Sequence, residues 1–182
     1  KDKSRHVTDE VFNASSHMAA ALFAFFGSAL LIVKSALAGK IWHIVGFAVY
    51  GVTLFCVFFF STLHHGVNAK AKTEALLRKF DYLAIFPLIA GTCTPVCLVL
   101  LRESFPGWTL FGVMWGAAIV GIVLRASIDK LPHWVLNTLY VGMGWLSAFI
   151  AFPVYKSFSF TGLFLFAGGG IFYTAGFMIF NS

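Results

Sequence analysis

Polar residues in this chain are confined to short intervals between long apolar runs. The first run, "ASSHMAAALFAFFGSALLIV", covers Ala14–Val33; five more follow at Ile41–His65, Phe80–Leu101, Pro106–Ser127, His133–Phe152 and Phe158–Phe180. Each is near the ~20 residues that carry a helix across ~30 Å of hydrocarbon. Backbone N–H and C=O groups find no water in lipid, so runs of this length predict helices. A barrel strand needs only about 10 residues. The pattern predicts an all-α polytopic transmembrane helical bundle of six helices, a single integral membrane domain over residues 1–182. Pro87 and Pro95 should kink the third helix. Gly112 and Gly116, and the mid-run Gly168, Gly169 and Gly170, are candidates for close helix approach. Trp42, Trp108 and Trp134 begin runs, where interfacial aromatic residues belong. No internal repeat or domain boundary interrupts the series.

Composition agrees. Only 11% of residues are charged, against about 25% in a soluble domain, which leaves too little polar surface for a soluble fold. The net charge is +6, and its distribution gives it a meaning. The N-terminal tail and the loops after the second and fourth runs hold Lys1, Lys3, Arg5, Lys70, Lys72, Arg78, Lys79, Arg125 and Lys130. The other side holds Lys34, Lys40, Arg102 and Lys156. That excess predicts a cytoplasmic N-terminus in a multi-pass cell-membrane protein. It accounts for the positive charge without nucleic acid as a partner. Cys56, Cys93 and Cys97 lie inside apolar runs with no Cys-x-x-Cys spacing, so they read as small buried hydrophobes. The opening "KDKSRHVTDE" carries no signal-peptide core.

Alternating helix direction gathers the chemistry at one edge. The start of the first helix, the end of the second and the start of the third share the cytoplasmic side. They carry Glu10, Asn13 and His17; Ser61, His64 and His65; and Asp81. Glu10, Asn13 and His17 are spaced i, i+3, i+7 on one face, and Ser61 and His65 i, i+4 on another. His64 and His65 point about 100° apart, so one of the two is expected to face a small site. A neutral imidazole is a common zinc ligand; a carboxylate ligates zinc, holds its water or acts as general base. Ser61 offers a hydrogen bond to that water or to a substrate carbonyl. The bland alternatives are definite. Asp81 would cap the third helix or pair with Arg78, Glu10 and Asn13 would cap the first, and His6, His43 and His133 would be solvated at run ends. Ionisable groups inside a membrane are functional by default, which favours Asp81 and one histidine. One His and one Asp fall short of the three protein ligands of a catalytic zinc. The residues alone reach a polytopic protein with a polar cavity suited to metal.

Several ordered motifs resemble the hemolysin III family, bacterial relatives of the adiponectin and progestin receptors (the PAQR family). "EVFNASSH" resembles its Glu…Asn…His element, and "STLHH" its Ser-x-x-x-His, aligning Ser61 and His65, with His64 where a Tyr is common. "RKFDYLAIFPLIAGTCTP" resembles its third-helix element with Asp81 at the acidic position and Pro95 at the Pro; Gly107–Trp108 also fits. The resemblance spans essentially the whole chain and implies a seven-helix bundle, N-terminus cytoplasmic, in a bacterial inner membrane. It implies zinc as cofactor, held by His65 and by an His-x-x-x-His on helix seven; these 182 residues contain neither a seventh apolar run nor that histidine pair. It makes Asp81 the water-holding or general-base group and Ser61 a polar neighbour. Three functions follow as expectations: a zinc-dependent hydrolase of a lipid amide or ester with a lipid-like substrate; a non-enzymatic membrane-homeostasis or receptor-like protein with structural zinc; and, least favoured, a pore.

Overall fold

The computed structural model describes residues 3–128, 132–151 and 159–180, with the backbone alone at 3–7, 133, 147, 149–151 and 180. Lys1, Lys130, Phe152, Lys156 and Phe158, and the side chains of Lys3, Arg5, His6 and His133, lie outside the described residues. The elements are α1 (Lys3–Leu37), α2 (Ile41–Gly66), α3 (Ala71–Pro95) running into a π turn (Val96–Leu100), α4 (Phe105–Ser127), α5 (His133–Ala151) and α6 (Phe160–Phe180). Every apolar run is helical over its described residues, among which no strand occurs. Among the described residues, five segments are long and apolar enough to cross a bilayer: Thr8–Leu37, Ile41–Gly66, Ala71–Leu100, Phe105–Ser127 and Phe160–Ile179. α5 carries a comparable apolar run, of which several side chains lie outside the described residues.

Two helices begin earlier than their apolar runs. α1 starts at Lys3 and α3 at Ala71, because helix formers such as Lys72, Glu74 and Arg78 carry the helix beyond hydrocarbon depth. Asp81 therefore lies well inside α3, and Glu10 and Asn13 well inside α1, so none of the three is an N-cap.

Successive helices pack antiparallel, and α3 is central, touching α2, α4 and α5. Its buried Phe86, Ile89, Ala90 and Cys93 join Leu110, Met114 and Ala118 of α4 and Leu136, Tyr140 and Met143 of α5. Lipid tails are as apolar as leucine, so this core gains little hydrophobic energy; packing and interhelical hydrogen bonds of about 0.6 kcal/mol each carry association. Trp115 Nε1 donates to Thr94 Oγ1 (3.1 Å), and Tyr140 Oη donates to the Tyr82 carbonyl (3.1 Å). After Pro95 the α ladder gives way to π spacing, with Leu101 N donating to Val96 O at 3.0 Å. Pro95 leaves the Gly91 carbonyl without its α-helical donor, while Pro87, which lacks the same N–H, lies inside α3 with no π turn after it.

The close helix approaches fall at other glycines than the expected ones. A Cβ on Gly112, Gly116, Gly168, Gly169 or Gly170 would meet nothing within 4 Å. A Cβ on Gly46 would come within 3.1 Å of Pro95 Cα, and one on Gly121 would strike the Phe86 ring. Spacing alone reveals which glycines share a face; only the partner helix decides which face is used. The expected interfacial tryptophans do meet, Trp42 and Trp108 edge to face at 6.3 Å.

Candidate metal centre

The antiparallel order of α1, α2 and α3 brings Glu10, His17, Ser61, His64, His65 and Asp81 to one end of the bundle. The final turn of α2 supplies the histidines. His65 Nδ1 donates to Glu10 Oε2 at 2.7 Å. This leaves Nε2 as the nitrogen free to bind a ligand, the arrangement in which an outer carboxylate fixes a metal-binding imidazole. His17 stands edge-on to His65 with ring centroids 6.0 Å apart, and its Nδ1 shares a 2.7 Å hydrogen bond with Ser61 Oγ.

Ser61 differs here from other hydroxyls in the bundle. Ser28, Ser35, Thr53, Thr62 and Thr94 turn back onto carbonyls of their own helices, which satisfies a hydroxyl in lipid at little cost. Ser61 is buried and instead bridges from α2 to α1. Its polarity is directed into the cluster.

His64, His65 and Asp81 each offer a ligand atom, and these atoms lie within 4.8 Å of one another. Around zinc at ~2.0–2.2 Å, tetrahedral donors are about 3.4 Å apart, so small side-chain rotations would close the set. Two imidazoles and a carboxylate are a donor set that zinc accepts. His64 Nδ1 is buried without a hydrogen-bond partner among the described residues, a cost that a ligand or cation would relieve. The residues therefore fit the group. Asp81 has no ion pair with Arg78 or any other described residue, so that alternative for its presence also falls away.

Sequence reasoning had set His64 aside because adjacent helical residues diverge. The structure places the two rings 4.7 Å apart and tilted by 43°. Divergent Cα directions do not prevent convergence of rings at the ragged end of a helix, where α2 stops at Gly66. The Glu10–His65 contact was also missed as a pair, although the shared face of Glu10 and His17 pointed toward it.

Residues 5–182 match the family described as haemolysin-III related. The chain belongs to this family. It is 34% identical over 177 residues to "Hemolysin-3" of Bacillus cereus, covering 97% of this chain and 80% of that protein. It is 35% identical over 170 residues to the "Hemolysin-3 homolog" of Bacillus subtilis (strain 168), covering 93% and 79%. No solved structure matches the chain. The resemblance carried by "EVFNASSH", "STLHH" and "RKFDYLAIFPLIAGTCTP" is borne out over almost the whole length. With its apolar helices, membership in the haemolysin-III-related family makes this a multi-pass membrane protein in contact with lipid.

Proposed function

We propose that the protein is a zinc-dependent hydrolase that cleaves an amide or ester bond of a membrane lipid, at a site facing the cytoplasm. The observation that carries this reading is the set His64, His65 and Asp81, with ligand atoms within 4.8 Å and His64 Nδ1 unpartnered among the described residues. Those three side chains would hold the zinc, leaving a position open as catalytic sites do. Bound there, zinc supplies Lewis acidity toward a carbonyl oxygen and acidity to water. Glu10 orients the His65 ring through the 2.7 Å hydrogen bond. Asp81 would help to hold the cation, and its carboxylate accepts a proton from the attacking water. As the water oxygen bonds to the carbonyl carbon and the C–N or C–O bond breaks, Asp81 returns that proton to the leaving group. Ser61, held by His17, hydrogen-bonds the substrate carbonyl. Spans one to three flank the site with apolar helix, so a substrate with acyl chains reaches it from the bilayer.

The name "Hemolysin-3" of the Bacillus cereus relative suggests lysis. A pore would need polar groups along its length. Ser35, Thr53, Thr62 and Thr94, buried along these helices, are turned back onto their own backbones, which disfavours an aqueous path. The test is release of free fatty acid from ceramide-type amides and from ester lipids by full-length protein in detergent. Wild type should release it, and Asp81→Asn should fold, keep part of its zinc and lose turnover. Zinc retained by a wild type that cleaves neither bond would replace this reading with the structural one.

A further inference from the structure

Two arginines at opposite ends of the bundle present a contrast. Arg102 stacks over Trp42, with Cζ 5.3 Å from the ring centroid, and pairs with Glu103. Arg125 stacks over Tyr82 in the same way at 5.6 Å. Among the described residues it has no carboxylate partner, and its Nε is shut away from solvent without an acceptor. A guanidinium stays charged at any accessible pH, and a charge near hydrocarbon without an anion is costly. Among the described residues no anion meets Arg125; Asp129 lies outside them.

The surroundings favour a phosphate group. Lys79 Nζ donates to the Ala126 carbonyl at 2.7 Å, so an ammonium with further N–H groups to offer stands at the residue after Arg125. Tyr82 supports the guanidinium from beneath, and its own carbonyl accepts the Tyr140 hydroxyl. The planar fork is thus held in place, the condition under which arginine grips two oxygens of a phosphate together. The site lies where the last turn of α4 meets the first half of α3, at the end of the bundle where lipid headgroups lie.

We propose that Arg125, assisted by Lys79, binds a phosphate group presented by an anionic phospholipid headgroup. The inference does not depend on hydrolysis or on zinc. The bound headgroup would lie beside Tyr82, next in sequence to Asp81.

The test is lipid binding by full-length protein in detergent, followed by native mass spectrometry with phosphatidylglycerol, phosphatidylcholine and inorganic phosphate as probes. Wild type should bind phosphatidylglycerol in preference to phosphatidylcholine, and millimolar inorganic phosphate should displace it poorly. Arg125→Gln should weaken phosphatidylglycerol binding about tenfold, the worth of a charge-assisted bidentate contact. Arg78→Gln, an exposed basic residue at the same end, should change it less than about twofold. Should Arg125→Gln fail to fold, Arg125→Lys, which keeps the charge and loses the fork, should still weaken binding several-fold. Unchanged binding in the Arg125 variant that folds would overturn the proposal, as would equal loss in Arg78→Gln, which would mean general surface charge. Full displacement by inorganic phosphate would overturn the lipid as its source.

Discussion

Removing the charge of Glu10 perturbs the candidate metal centre without touching any proposed ligand. Glu10 Oε2 lies 2.7 Å from His65 Nδ1, with side-chain exposures of 37% for Glu10 and 21% for His65. A hydrogen bond to a charged group is worth about 1.5–3 kcal/mol. More than a third of the glutamate is exposed, so screening places this one near the lower end, which is about tenfold in affinity. A second estimate agrees: losing an outer partner of a ligating histidine typically costs about 10–100-fold in metal affinity. Glu10→Gln keeps an acceptor at the same position and should weaken zinc about tenfold. Glu10→Ala removes the acceptor and should weaken it further. The assay is zinc titration of purified protein against a competing chelator, with His65→Ala as the reference for loss of a ligand. If both Glu10 variants bind zinc as wild type does while His65→Ala loses it, the orienting role of Glu10 is refuted.

Two further outcomes follow from the packing and the charge pattern. Gly121→Ala should lower thermal stability in detergent by about 1–3 kcal/mol, because its Cβ would strike the fully buried Phe86 ring, while Gly116→Ala, open on its helix, should be near neutral; equal effects would contradict the glycine assignments. Lys70→Cys in intact cells should resist an impermeant maleimide and Lys40→Cys should react; the reverse pattern would turn the proposed topology over and move the site to the outer leaflet.

Much of the fold was legible because a bilayer imposes one rule, that an apolar run near 20 residues must be a helix. Alternating helix direction then brought Glu10, His17, Ser61, His65 and Asp81 to one end, whichever side of the membrane that end faces. Helix ends were less legible: hydropathy marks membrane depth, and α3 continues past it to Ala71. Gly121 and Gly46 could not be told from Gly116 by spacing, since their value lies in Phe86 and Pro95 on another helix. His64 was hidden by a rule about Cα directions that holds in mid-helix and weakens at the last turn. Arg125 was counted as a topology charge; its separate character depends on the Tyr82 ring beneath it and on the lack of a carboxylate partner among the described residues, neither of which a single-sequence pattern displays.

The central claim is that His64, His65 and Asp81 form a zinc site. Its most direct test is the metal content of the purified full-length protein, measured by inductively coupled plasma mass spectrometry for wild type, His65→Ala, His64→Ala and Asp81→Ala. The account predicts stoichiometric zinc in wild type, nearly complete loss in His65→Ala and a clear reduction in each of the other two. A wild type that carries no zinc and takes up none when zinc is added would contradict it.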